Sequence, residues 1–325
     1  MSLDRRAKRL LDMLAAGRGA PDAKSSPADR RAALEALAAA GDDVSTEVRI
    51  DDRQIPGLAG PLPIRIYTPL EAARAPTPGM VFFHGGGWVA GSLETHDGLC
   101  RRLCEAAGCR IVAVDYRLAP EHPFPAGLTD CLLALNWVSN HALTLGIDRS
   151  RLAVGGDSAG AGLAAAVAQI AREAAGPAIA LQVLICPILD VARRTGSRTA
   201  FGDGFFIGAT AFERDLTDYA GFGPAFDDAR LSPLHAATFH GLPPALIHTA
   251  EFDPFRDEAE DYAVALRDAG VEVTAVRHPG MIHYFYALAR AIPYAEAASA
   301  VIGAQMRTAF ETAEPGETAA AAFAG

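Results

Sequence analysis

Residues 151–170 read RLAVGGDSAGAGLAAAVAQI: an apolar run, Asp157-Ser158 between glycines, then a long alanine-rich stretch. The apolar run predicts a buried strand over Arg151–Gly155, and the alanine-rich stretch predicts a helix over Ala159–Ala174. Gly156 and Gly160 leave room where a sharp strand-to-helix turn is too crowded for side chains. Ser158 is thereby expected at the tip of the turn, hydroxyl outward, with the helix's first amides and positive end aimed at the same point. G-x-x-x-x-G-K-[ST] is absent, which excludes a P-loop reading of the same glycines.

Outward from that turn the chain keeps alternating. Apolar runs predict seven more strands: Thr46–Asp51, Pro63–Thr68, Met80–His84, Arg110–Tyr116, Leu181–Pro187, Ala245–Thr249 and Val271–His278. Several are continuously apolar (MVFF, IVAV, LQVLIC), as in strands of a parallel sheet buried on both faces. Helical patterns fall between or after them at Thr95–Ala107, Leu128–Leu145, Arg256–Ala269 and Ala291–Thr312. The expected architecture is α/β: an eight-stranded, mostly parallel sheet with helices on both faces.

Two regions break the alternation. Residues 1–45 hold two amphipathic helical patterns, Ser2–Ala16 and Pro27–Ala40, joined by a Gly/Pro/Ser-rich stretch. Residues 190–242 hold seven of the fifteen phenylalanines, namely Phe201, Phe205, Phe206, Phe212, Phe222, Phe226 and Phe239, which suggests a lid over an apolar cavity. The expected organisation is N-terminal cap helices over 1–45, a catalytic domain over 46–312 with a cap insertion at 190–242, and a disordered Ala/Gly/Glu-rich tail over 313–325.

A serine hydroxyl needs a base to take its proton and donors to receive the charge it creates. Upstream, His84-Gly85-Gly86-Gly87-Trp88 follows a strand run, the place where a glycine-rich loop supplies oxyanion amides. Gly85, Gly86 and Ala159 are the expected donors. In this arrangement the order is serine, acid, histidine. His235 and His240 fall in the 190–242 region or its end, His248 lies inside a strand run, and His278 ends the last strand. His283 sits in the loop that follows, free to swing back to Ser158, and is the expected base. Asp253, first after the seventh strand and fixed by Pro254, is the expected acid; Asp257 suits a helix-start ion pair and Glu251 a supporting place behind the triad. Trp88, Phe205, Phe206, Phe212 and Tyr284 are the expected substrate contacts.

These blocks resemble the hormone-sensitive-lipase family of the α/β-hydrolase fold, the bacterial esterases with an HGGG motif. The likeness spans roughly residues 60–290 and is carried by HGGGW at 84–88, DYRLAPEHPFPA at 115–126, GDSAG at 156–160, DPFRD at 253–257 and GMIH at 280–283. The resemblance implies a cap over the active site, a carboxylesterase activity, and a bracing role for Arg117 and Glu121. Tyr284 after the histidine and Ala161-Gly162 after GDSAG depart from the usual pattern, and Tyr284 would narrow the pocket. Short-to-medium acyl esters are the expected substrates. The other readings on the same machinery are an amidase or acyltransferase, or a non-catalytic small-molecule receptor.

Composition sets the partners. The net charge of −10 argues against nucleic acid and anionic membrane. No apolar run reaches the ~18 residues of a membrane span, and no signal peptide is expected. Five cysteines without a C-x-x-C pair suit buried, reduced thiols in the cytoplasm, and a metal site is not expected. The chemistry needs no cofactor. A homodimer is expected from the resemblance and from the apolar Ala291–Ile302 stretch, including Ile292, Val301 and Ile302.

Overall fold

The structure, a computed structural model, describes residues 2–17, 25–43, 45–71, 76–221 and 224–312. In chain order it contains α1 (Arg5–Gly17), α2 (Pro27–Gly41), β1 (Val48–Gly57), β2 (Gly60–Pro69), β3 (Thr77–Phe83), α3 (Asp97–Ala107), β4 (Arg110–Val114), α4 (Ala126–His141), β5 (Ile147–Asp157) and α5 (Ala159–Glu173). Then follow β6 (Leu181–Ile185), α6 (Gly196–Phe201), α7 (Ala209–Ala220), β7 (Ala245–Phe252), α8 (Arg256–Asp268), β8 (Val273–Ile282) and α9 (Tyr294–Thr312). The expected tail over 313–325 and Phe222 lie outside the described residues.

All eight strands join one sheet in the order β1-β2-β4-β3-β5-β6-β7-β8. From β4 through β8 every pairing is parallel; β2 runs antiparallel to both its neighbours. Because successive side chains point to opposite faces, the continuously apolar strands feed two cores. Val81, Phe83, Val112, Val114, Leu152, Val154, Leu184 and Ile247 pack with α4, α5 and α8. Met80, Phe82, Ile111, Ala113, Ala153, Val183, Ile185 and Leu246 pack on the opposite face with α3 and α9.

Strand lengths differ from expectation where apolar content is a poor guide. β1 runs on through Asp52, Arg53 and Gln54, exposed residues with no apolar signal, because the ladder with β2 holds them. β8 continues past Pro279 and Gly280 to Ile282; it is an edge strand, where a proline's missing donor is tolerated. Pro293 displaces the start of the last helix from Ala291 to Tyr294.

The two irregular regions pack onto the sheet's layers and feed side chains into both cores. α1 lies beside β8, where Asp4 N–H donates to Gly280 O at 3.0 Å and Ala7 and Leu10 enter the second core. α2 starts with a capping box between Ser26 and Asp29, followed by Pro27 in its first turn. Residues 190–242 form α6, α7 and short 3-10 turns at Pro224–Asp227 and Pro233–His235. No helix among the described residues is long and apolar enough to cross a membrane.

Candidate active site

Ser158 stands between the last residue of β5 and the first of α5, with φ 54° and ψ −122°. That conformation is costly for a non-glycine residue and is held by its surroundings. Ser158 N–H donates to Ile185 O at 2.8 Å, and Ser158 O accepts from Gly162 and Ile188. A Cβ on Gly156 or Gly160 would collide with the Phe83 carbonyl, so the elbow passes against β3 only as glycine.

The strand ends bring the partners together. Asp253 follows β7 and His283 follows β8. His283 Nδ1 is 2.8 Å from Asp253 Oδ2, and His283 Nε2 is 2.8 Å from Ser158 Oγ. With Asp253 ionised, Nδ1 carries the proton and Nε2 is left as the acceptor of the serine O–H. Asp253 Oδ1 accepts Phe255 N–H at 2.8 Å, so both carboxylate oxygens are engaged. The three residues are 6%, 2% and 0% exposed for Ser158, His283 and Asp253, a dry setting in which such hydrogen bonds gain strength.

The other candidates go elsewhere. His278 faces His248 at 3.0 Å and Tyr294 Oη at 3.1 Å, and burial pushes its pKa down to about 4. His235 pairs with Asp190. Asp257 accepts Ser197 N–H at 2.7 Å and contacts Arg256. Glu251 accepts Gly280 N–H at 2.8 Å and so fixes the segment that leads to His283.

The glycine loop differs from expectation at one position. Gly85 N–H is already donated to Asp157 Oδ1 at 2.9 Å. The amides of Gly86 and Ala159 have no such partner among the described residues. Gly86 has φ +118°, and a Cβ there would meet the Ala90 carbonyl.

Asp157 was not singled out in the sequence, although it precedes the serine. It is fully buried and also accepts from Tyr286 Oη at 3.1 Å and faces His96 Nε2 at 3.2 Å. Burial pushes its carboxyl up, but His96, the Gly85 amide and His84 outweigh that and hold it below the usual range. One carboxylate therefore ties the glycine loop, the start of α3 and the segment after His283 to the elbow.

A buried Cys186 thiol lies beside the acid: Cys186, Asp253 and His283 offer ligand atoms within 4.8 Å of one another. Burial and the neighbouring Asp253 push that thiol well up, so it stays protonated. Both His283 nitrogens already face Asp253 and Ser158, so the trio is poorly disposed toward a metal.

Of the expected substrate contacts, only Phe212 lines the cleft of about 710 Å³ enclosed by α6, α7 and the start of α8, together with Phe226 and Phe255. Trp88 is 3% exposed and stacks on Tyr219 of α7 at 4.8 Å. Phe205 packs on Phe252 and Phe201. Phe206 stacks on Tyr284 at 5.6 Å, and Tyr284 donates its hydroxyl proton to Thr95 O. Trp88, Phe205, Phe206 and Tyr284 thus pack on other rings and do not line this cleft. Arg117 grips Asp130 of α4, and Glu121 holds Arg31 of α2, which also donates to Val89 O and Ala119 O.

Comparison with known proteins agrees with this geometry. Residues 80–287 match the model of a family described as having the alpha/beta hydrolase fold. The chain is 45% identical over 251 residues to the carboxylic ester hydrolase LipN of Mycobacterium tuberculosis, covering 75% of this chain and 66% of that protein. It is 41% identical over 263 residues to the carboxylesterase NlhH of the same organism, covering 78% and 80%. The solved ester-hydrolase EH1AB1, from the metagenome of Lake Arreo and complexed with a derivative of bipyridine phosphonate, superposes with a TM-score of 0.92 at 39% identity, over 95% of this chain and 100% of that one. With its sheet order, its strand-end triad and these matches in hand, the chain belongs to the α/β-hydrolase fold family, in the hormone-sensitive-lipase branch its motifs resemble.

Proposed function

We propose that this chain is a serine carboxylesterase, and the observation that carries the proposal is the hydrogen-bonded line Ser158–His283–Asp253 beneath the free amides of Gly86 and Ala159. His283 Nε2 takes the Ser158 proton as Oγ attacks the ester carbonyl. The carbonyl oxygen, now negative, is received by Gly86 and Ala159; one such donor is worth ~3 kcal/mol in the transition state. Gly85 acts from behind, through Asp157, by holding the loop. The imidazolium, steadied by Asp253, gives its proton to the departing alkoxide. Water then attacks the acyl-Ser158 by the same route and releases the acid.

The two irregular regions, 1–45 and 190–242, serve as the cap, and 46–312 as the catalytic body. Short-to-medium acyl esters suit a site closed over by Phe206, Tyr284 and the Trp88–Tyr219 stack. The five cysteines are free and buried, which favours a cytoplasmic setting. A second copy of the chain would pair at β8, one of the sheet's two edge strands, or at α9, on which Tyr294 and Val301 are exposed; Ile292 and Ile302 instead lie in the chain's own core. Light scattering that returns a single-chain mass of 34.0 kDa would remove the dimer.

Fluorophosphonate labelling tests the central proposal. Modification should fall on Ser158, and ester turnover should far exceed turnover of the matching amide. Labelling elsewhere, or none, overturns it.

A further inference from the structure

We infer that Phe255 sets the length of ester chain that this enzyme accepts, by walling the Ser158–His283 pair off from the cleft beneath α6 and α7. The inference rests on the esterase reading above and concerns an apolar chain of the substrate.

The cleft, at about 710 Å³, has the size of a small-molecule pocket, yet neither Ser158 nor His283 is among the residues that line it. Phe255 belongs to both places. It lines the cleft, and its ring meets the His283 imidazole edge-on at 5.4 Å. Its other contacts are on the cleft side: Phe212 at 5.0 Å and the Arg198 guanidinium at 5.2 Å. The ring is 3% exposed.

Its backbone has little freedom, because Phe255 N–H is donated to the catalytic acid and Pro254 precedes it. Side-chain size, rather than movement of the segment, therefore decides whether the two spaces join. The cleft's chemistry is apolar where Phe255 faces it. Arg198 lies over Phe212 and Phe255, but its donors go to Glu258 and the Asp190 carbonyl. Arg194 and Glu213 face each other at 3.6 Å and are largely exposed. Thr199, Asp203 and Thr217 also line the cleft, and the Asp203 carboxylate disfavours an anion; the faces of Val191, Ile207, Phe212, Leu216 and Phe226 fit a hydrocarbon or aryl chain.

The test uses Phe255→Ala and Phe255→Leu in the full chain, each checked by circular dichroism. kcat/KM is measured on two series: acyl chains of about two to twelve carbons at constant alcohol, and alcohol chains of the same range at constant acetyl. Each methylene that gains a place in the cleft should raise kcat/KM about fourfold. The ratio of ten-carbon to two-carbon substrate should therefore rise at least about tenfold over wild type in Phe255→Ala, and less in Phe255→Leu. The series that responds names the side of the ester the cleft receives. Adding Leu216→Trp to Phe255→Ala refills the space and should return the ratio toward wild type. Folded Ala and Leu variants whose ratios stay within about twofold of wild type in both series overturn the inference. If the alanine variant does not fold, the leucine variant decides alone. A wild-type protein that turns over no ester and takes no fluorophosphonate sinks the esterase reading itself, and this inference with it.

Discussion

The proposed catalytic body and the proposed cap are held together by different means. In the body, Ser158, Asp253 and His283 each stand at the C-terminal end of a strand, on β5, β7 and β8, so parallel pairing alone brings them to one edge of the sheet. In the cap, charged side chains add clasps to aromatic packing such as Trp88 on Tyr219 and Phe206 on Tyr284. Arg30 of α2 pairs with Asp215 and Asp218 of α7. Arg31 of α2 pairs with Glu121. Arg198 of α6 reaches the buried Glu258 of α8, and Ser197 exchanges hydrogen bonds with Asp257. Backbone pairing fixes geometry to tenths of an ångström; side-chain clasps fix it only while both partners are present and charged. Substitutions in the body should therefore strike kcat, and those in the cap should strike KM, chain-length range and pH dependence.

The sharpest break of that contrast is at the nucleophile. Ser158→Ala should lower kcat by about a thousandfold or more while leaving the fold intact, with His283→Ala as severe and the double variant scarcely worse, because the group acts as one unit. A Ser158→Ala protein that keeps a tenth of wild-type kcat would remove Ser158 as nucleophile. Asp253→Asn should also cost about a thousandfold or more, since the amide no longer holds the required tautomer. Asp257→Asn is its control on the cap side. Asp257 only fastens Ser197 and Arg256, so kcat should fall by much less. Comparable losses in the two would show that the acid has been misassigned.

Asp157 comes next. Asp157→Asn keeps the size of the side chain but loses the charge and one acceptor facing Gly85, His96 and Tyr286. Misplacing the glycine loop by a fraction of an ångström should lower kcat by about tenfold to a hundredfold with KM little changed. A variant in which KM rises and kcat holds would place Asp157 in substrate binding and not behind the oxyanion loop.

The body was legible in the sequence because its signals are local. Glycines mark the elbow, short apolar runs mark the strands, and Ser158, Asp253 and His283 are named by position relative to those runs. Gly85 was misjudged because its place in HGGG says that its amide is accessible, not that Asp157 will take it. The partners lie 72 residues apart, and no local pattern links them. The same holds for the cap. Arg30 and Asp215 are 185 residues apart, and Arg198 and Glu258 are 60 apart on separate helices. The phenylalanines gave the cap's apolar character but not which rings pack and which line, because packing is decided by neighbours supplied from elsewhere: Phe252 for Phe205, Tyr284 for Phe206 and Tyr219 for Trp88.

On the cap side, Arg30→Ala should raise KM severalfold and lower the melting temperature, with kcat changed less. Arg30 faces two carboxylates, and burial has pushed Asp215 up to about 6 despite it and the more distant Arg214 at 3.8 Å. Without the guanidinium, Asp215 takes a proton more readily still, so the KM penalty should be larger at about pH 8, where the carboxylate must be charged, than at about pH 5. A penalty on kcat alone would place Arg30 in the catalytic body's account and not the cap's.

The smallest effect concerns the clasp at Glu258. Its carboxyl is pushed up from 4.5 to about 7, first by burial, against the partial opposition of Arg198 and the amides of Leu189 and Asp190. The folded protein thus holds this proton to higher pH than the unfolded chain does. The stability it contributes is full below 4.5 and is lost as the pH rises through about 7. Glu258→Gln preserves the shape and an acceptor for the Leu189 and Asp190 amides, but has no proton to lose. The melting temperature of wild type minus that of the variant should therefore shrink steadily from about pH 5 to about pH 8. Other titrating groups, including His248 and His278, are common to both proteins and cancel in the difference. A flat difference would mean that Glu258 stays ionised throughout, Arg198 and the amides of Leu189 and Asp190 having offset its burial, so that the clasp is fastened by charge at neutral pH.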